Sequence, residues 1–284
     1  MRKHATKIAA IAAALTMTAT LAGCATINTN KKEEEEEIFI SGQAPEETEN
    51  NEPEVQLPEP EPEKPVVNVT PKQKTAVYIT TTSNGVNIRS GAGTGYSVRG
   101  TAEKSTLYAL DGQTGDWYKT GYKNGAAYLS SKLCEKIEMA ASEDERIEAI
   151  IAEGAKLLGT AYVYGAVRYH DGKGNKLKSF TTTEFDCSSL MQYIFYKGAG
   201  KLLNMNTRTQ ISQGKTVTRS QLKRGDLMFF TNASRKNNTG VERVGHVALY
   251  LGGNWILHTA SDYAKIEQIS ATRWGYFIQG QRII

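Results

Sequence analysis

All seven prolines of this 284-residue chain lie between Pro45 and Pro71, and none follows. The segment that holds them, residues 25–75, also carries 13 Glu against 5 Lys, a net charge of −8. Chain that is proline-rich, like-charged and poor in apolar side chains cannot bury a core and stays extended. A packed fold must therefore be built from what comes after it. What comes before it is of another kind. Met1 to Gly23 opens with Arg2, Lys3 and Lys7, runs apolar from Ile8 to Leu21 and ends in small residues ahead of Cys24. That order describes a secretory signal, and the apolar run is short for a bilayer span of ~20 residues. The expected division is a signal peptide over 1–23, a disordered acidic tether over 24–75, and folded chain from residue 76 onward with a net charge of +9. Tether and folded part carry opposite charge, so charge alone selects no partner.

Two patterns divide the folded part. Val77 to Thr80 is rich in β-formers and is followed by the stretch Gly85 to Gly91; short strand-like runs then recur at Tyr96 to Arg99, Thr106 to Leu110, Trp117 to Thr120 and Ala126 to Leu129, separated by Gly, Asp and Asn turns. Strands this short and closely spaced predict a small all-β barrel over 76–138. Ser142-Glu143-Asp144-Glu145 then has the Ser-x-x-Glu form of a helix capping box, and Ile147, Ile150, Ile151, Leu157 and Leu158 follow on one helix face. A second domain over 139–284 is expected to begin there.

Within it, Asp186 is placed to cap a helix whose Leu190, Met191, Ile194 and Phe195 face a core. Cys187 opens that helix. The positive end of the helix dipole is expected to lower the thiol's pKa and favour the nucleophilic thiolate. Of the four histidines (4, 170, 246, 258), His246 and His258 fall in two strand-like runs around Gly252-Gly253-Asn254. With a two-residue loop at Gly252-Gly253, residue 246 would pair 259 and the two rings would point to opposite faces. A three-residue loop with a glycine in the left-handed region and a bulge would put both on one face, where one can serve as base and the other orient it. An ordered Cys, His and His set reads as a cysteine hydrolase. Cys134 reads as an apolar filler, and no disulfide scaffold is expected.

These residues resemble the NlpC-type (p-sixty) cell-wall endopeptidases. Gly159-Thr160-Ala161-Tyr162-Val163-Tyr164-Gly165 is similar to the family's Gly-x-Pro-Tyr-x-Trp-Gly, with Ala161 for Pro and Tyr164 for Trp. Phe185-Asp186-Cys187-Ser188, Arg208-Thr209, Gln213-Gly214, Arg224-Gly225-Asp226-Leu227-Met228-Phe229-Phe230, the stretch from Gly245 to Gly252, and Leu257-His258 follow in the family's order. The resemblance implies an α+β fold, a papain-like catalytic domain with helices on an antiparallel sheet. It implies Cys187 as nucleophile, His246 as base and His258 as orienting residue. Asp186 and Ser188 would bind the free amine of a muropeptide, Tyr162 would donate to the oxyanion, and Arg208 and Thr209 would line the substrate groove. The implied bond is γ-D-glutamyl to diaminopimelate or lysine in peptidoglycan stem peptides. Val86 to Thr94 with Gly115-Asp116-Trp117-Tyr118-Lys119 resembles the bacterial SH3-like domain, implying a wall-binding or substrate-positioning module that closes one side of the cleft. Leu21-Ala22-Gly23-Cys24 resembles the bacterial lipobox, implying a lipid on Cys24 and an extracytoplasmic, membrane-anchored monomer facing the wall.

No phosphate-binding glycine loop, zinc-type Cys/His spacing or nucleic-acid motif is present in the sequence, so no cofactor, metal or nucleic-acid partner is expected. Another cell-wall amide bond, or wall binding without turnover, stays open as an alternative.

Overall fold

The computed structural model describes residues 73–284, so the signal peptide, Cys24 and nearly all of the tether lie outside the described residues. Eight strands come first: β1 (Thr75–Thr81), β2 (Val86–Arg89), β3 (Val98–Ala102), β4 (Thr106–Ala109), β5 (Gly112–Thr114), β6 (Trp117–Tyr122), β7 (Gly125–Ser130) and β8 (Cys134–Ala140). Five of them form a sheet in the order β3-β2-β7-β6-β5. This N-terminal region is all-β and SH3-like. It is not closed upon itself, because β1, β4 and β8 belong to a second, larger sheet. Strands β5 and β8 were not among the sequence expectations. Each is mostly polar or exposed, so neither shows an apolar run. β8 also carries the region to Ala140, two residues past the expected boundary.

The rest of the chain supplies α1 (Glu145–Lys156), β9 (Ala161–Tyr162), β10 (Glu184–Phe185), α2 (Cys187–Ala199), α3 (Thr207–Gln210), β11 (Lys215–Val217), β12 (Leu227–Phe230), β13 (His246–Gly252), β14 (Trp255–Ala260), β15 (Tyr263–Gln268), α4 (Ala271–Gly275) and β16 (Phe277–Arg282). The large sheet runs β11-β16-β12-β13-β14-β15-β4-β1-β8, with β9 on β15 and β10 on β9. The fold is thus α+β, with α1 and α2 packed together and α2 lying on β13 and β14. The sheet passes from one region to the other where Ile266 pairs Leu107 and Glu267 pairs Thr106.

The cap of α1 differs from the expected box. Asp144 is the N-cap and accepts from the Arg146 N–H, while Ser142 lies outside the helix, its hydroxyl accepting from the Asp144 N–H. A carboxylate two residues closer to the helix outcompetes the serine, and Arg146 fixes it with two further hydrogen bonds. Helix α2 is capped by Asp186 as its sequence indicates, in a reciprocal box with Ser189. Its residues 187–195 are all buried, not one face of them, because α1 covers the side away from the sheet. Arg224 ties three parts together: it holds Glu148 of α1 at 2.7 and 2.8 Å, the Tyr78 hydroxyl of β1 at 2.8 Å and the Leu251 carbonyl of β13 at 2.8 Å. Gly159 (φ +80°) lies where a Cβ would stand 2.2 Å from the Tyr122 ring, so the two regions meet through a glycine.

Candidate active site

Cys187 stands in the first turn of α2, 8% exposed. The local cause is the Asp186 cap, which sets where the helix begins. The expected lowering of its pKa is overturned: burial pushes the thiol up to about 12, and the Asp186 carboxylate adds to it. The backbone N–H groups of Val247 and Ser188 and the Arg168 charge act the other way and are outweighed. Desolvation of a buried anion exceeds what one helix end returns. At rest the group is a thiol.

The hairpin that carries the histidines solves the facing problem by a bulge. Leu249 pairs Leu257 and Tyr250 pairs Ile256, but Gly252 pairs Trp255, so Leu251 is the extra residue. The loop itself has two residues, Gly253 and Asn254, both at positive φ (+55° and +70°), and not the expected three. The bulge restores the pairing in which His258 faces the same side as His246. Their rings meet edge to face with centroids 5.1 Å apart, and His246 Nε2 lies 3.0 Å from His258 Nδ1. His258 is fully buried, and its Nε2 lies 2.9 Å from Glu267 Oε1 on β15.

This chain of contacts fixes the tautomers. Glu267 is pushed up by burial, yet the His258 hydrogen bond, then His258, Lys265 and Arg273, bring its carboxyl down to about 2. An ionised carboxylate only accepts, so His258 Nε2 carries the proton and donates. Burial holds His258 below its ordinary value and thus neutral, which leaves Nδ1 as an acceptor. His246 Nε2–H must then be the donor, and His246 Nδ1 holds the free lone pair. Burial, with His258 and Arg273 nearby, keeps His246 well below its ordinary pKa. It is a neutral base with its basic nitrogen assigned.

A cleft of about 490 Å³ opens at Cys187, lined also by Tyr162, Arg168, Asp186, Ser188, Arg208 and Arg235. A second of about 460 Å³ opens at His246 and Arg273, and Tyr162, Asn232 and Gly245 line both. The clefts at the thiol and at the imidazole therefore share part of their lining. Thr209 is not among the lining residues: its hydroxyl bonds Asn206 at the α3 N-terminus. The SH3-like region contributes no lining residue to either cleft; its Lys123 and Asn124 face Gly159, Ala161 and Thr182 around a separate hollow. Sequence reasoning missed Glu267, Arg168 and Arg235. Period two along Lys265-Ile266-Glu267 marked Glu267 as facing opposite to buried Ile266, but nothing local connected it with His258. Cys134 is half-buried, with its thiol raised to about 11 by burial.

Both regions of the chain are similar to known proteins. Residues 159–282 match the NlpC/P60 family and residues 84–134 the bacterial SH3 domain. The chain is 32% identical over 132 residues to a probable endopeptidase p60 of Listeria innocua, covering 46% of this chain and 24% of that one. It is 33% identical over 129 residues to a gamma-D-glutamyl-L-lysine dipeptidyl-peptidase of Bacillus subtilis, covering 45% and 37%. The chain therefore spans 24% and 37% of the lengths of these two curated relatives. Among solved structures, a protein of the NLP/P60 family from Staphylococcus aureus, described as similar to lipoprotein, is 29% identical with a TM-score of 0.41, covering 51% of this chain and 43% of that one. This chain carries an NlpC/P60 family domain over residues 159–282, preceded by a bacterial SH3 domain over residues 84–134.

Proposed function

We propose that the chain is a peptidoglycan hydrolase, a cysteine endopeptidase that cleaves the γ-D-glutamyl to diaminopimelate or lysine bond of stem peptides. The observation that carries this reading is the line His246–His258–Glu267 beside a helix-capped Cys187, which leaves one imidazole nitrogen free as base. The printed name of the Bacillus subtilis relative, a gamma-D-glutamyl-L-lysine dipeptidyl-peptidase, supports the choice of bond.

The chemistry follows from the charge states. Because the thiol and the imidazole are both neutral at rest, His246 Nδ1 takes the Cys187 proton as sulfur attacks the amide carbonyl. First-turn N–H groups of α2 that the Asp186 cap leaves open, with the Tyr162 hydroxyl, receive the oxyanion. The imidazolium then gives its proton to the leaving amine as the C–N bond breaks. Water, deprotonated by His246, attacks the thioester and releases the free carboxylate and the thiol. Through both steps His258 shares the positive charge with Glu267 without giving up its own proton.

The test is digestion of purified muropeptides followed by mass spectrometry. Wild type is expected to leave a new carboxylate on the γ-glutamyl side and a new amine on the diamino acid. Cys187→Ala is expected to lose at least about 10³-fold in activity while its circular dichroism is unchanged, since lost nucleophiles cost that much or more. Residual activity within about tenfold, or cleavage at another amide, overturns the assignment. We also place the protein outside the cytoplasm, held to the membrane by lipid on Cys24. Membrane fractionation of Cys24→Ala tests this, with release expected and retention counting against the lipid.

A further inference from the structure

The cleft at Cys187 holds a buried carboxylate whose two oxygens are both engaged. Asp186 Oδ1 accepts from the Ser189 N–H at 2.8 Å and the Ser188 hydroxyl at 3.0 Å. Its Oδ2 accepts from the Gly165 N–H at 3.2 Å and pairs with Arg168 Nη1 at 2.8 Å. Three hydrogen bonds and one ion pair thus engage both oxygens of the carboxylate. Arg168 is itself held in place, its side chain 14% exposed, with Nε on the Met205 carbonyl at 2.7 Å and Nη2 on the Ser188 hydroxyl at 3.0 Å. Two more guanidiniums, Arg208 and Arg235, line the same cleft and share one carboxylate, Glu242, at 2.9 and 3.7 Å. Three cations here meet two anions. An ammonium brought to Asp186 would find both oxygens already engaged and a like charge beside them.

We propose that Arg168 is a specificity-determining residue that closes the Asp186 and Ser188 corner to a free substrate amine. The cleft then selects stem peptides whose amine end is acylated, as in chain still attached to the wall polymer. The inference rests on the peptidase reading and takes Asp186 and Ser188 out of the amine-binding role that the family resemblance implied. Arg168 lies in the stretch between Gly165 and Asp186, and its ion pair to Asp186 is what sets the preference.

Two peptides that differ at one group test it: alanyl-γ-D-glutamyl-lysine with a free or an acetylated amine. Calorimetric binding to the full Cys187→Ala chain reads the preference without turnover, and kcat/KM of wild type reads it in catalysis. At pH 6.5 the acetylated peptide is expected to be favoured by about tenfold, the order of one like-charge contact that stays largely in water. The gap should narrow above pH about 7.7–8.0, where an α-amine loses its charge. Arg168→Gln should move the preference toward the free amine, and Arg168→Lys should hold it at the wild-type side. A wild type that favours the free amine overturns the proposal, as does a ratio that moves neither with pH nor with Arg168→Gln. Should Arg168→Gln not fold, the pH dependence of wild type decides. Absence of turnover on both peptides would count against the peptidase reading, while the binding ratio would still judge this one.

Discussion

Glu267 reaches His246 through the His258 imidazole, and what it transmits is tautomer and charge. Glutamine at 267 has nearly the same shape but can donate as well as accept. A donated amide proton would turn His258 Nε2 into an acceptor, put the His258 proton on Nδ1, and place the His246 proton on the nitrogen that must act as base. Glu267→Gln is therefore expected to lower kcat by at least about tenfold, toward the ~10⁴ that a wrong imidazole tautomer costs, with KM little changed. Glu267→Asp, which still only accepts, should fall less. Steady-state kinetics checks this, and a Gln variant as active as wild type would reduce Glu267 to packing. The same charge states set the pH profile. With His246 held well below 6.5 and Cys187 raised to about 12, kcat/KM should stay level from pH 6.5 upward and fall only below it. Arg273 disfavours the imidazolium, so Arg273→Gln raises the His246 pKa and should move that acidic limb to higher pH. A bell with both limbs between pH 6 and 9 would instead indicate a resting thiolate–imidazolium pair.

The β13–β14 hairpin is the element on which the site turns. Side chains alternate along a strand, so one residue more or less in the pairing exchanges the faces of every side chain beyond it. The Leu251 bulge and the Gly253-Asn254 turn together keep His258 on the His246 side. Gly253 holds φ +55°, which a β-branched residue adopts at a cost of about 1–2 kcal/mol. Gly253→Val should lower stability by that amount in urea titration. It should also lower kcat more than KM, because a strained turn shifts the hairpin that positions both rings while leaving the cleft at Cys187 in place. Loss of stability without any change in kcat would show the turn to be decoupled from the register.

At the scale of the whole molecule, the SH3-like region is built into the large sheet. β4 pairs the strand that carries Glu267, and Arg224 clamps β1, α1 and β13 around one guanidinium. Arg224 is 8% exposed in its side chain and Glu148 29%, so removing the cation strands a partly buried carboxylate and a tyrosine hydroxyl. Arg224→Leu is expected to cost about 2–3 kcal/mol, toward the lower end for a broken buried pair because Glu148 retains some water. One shared sheet also predicts one transition: tryptophan fluorescence, from Trp117 in one region and Trp255 and Trp274 in the other, should coincide with circular dichroism on denaturation. Two separate transitions would mean that the regions fold independently.

Cys187 at a helix start, the Asp186 cap and the placing of His246 and His258 on one face were legible because each rests on local rules. A cap is set by one side chain and its next three residues, and a strand's facing by parity along the chain. The parity requirement and the bulge that meets it were readable, even though the length of the turn, two residues and not three, was not. Tertiary structure alone decided the rest. Arg168 finds Asp186 from 18 residues away and Thr106 finds Glu267 across the junction of the two regions, and no periodicity encodes such meetings. The thiol's charge state reversed for the same reason. A helix dipole can be read from the first turn, but the desolvation that outweighs it depends on everything packed around the turn, which exists only once the chain has folded.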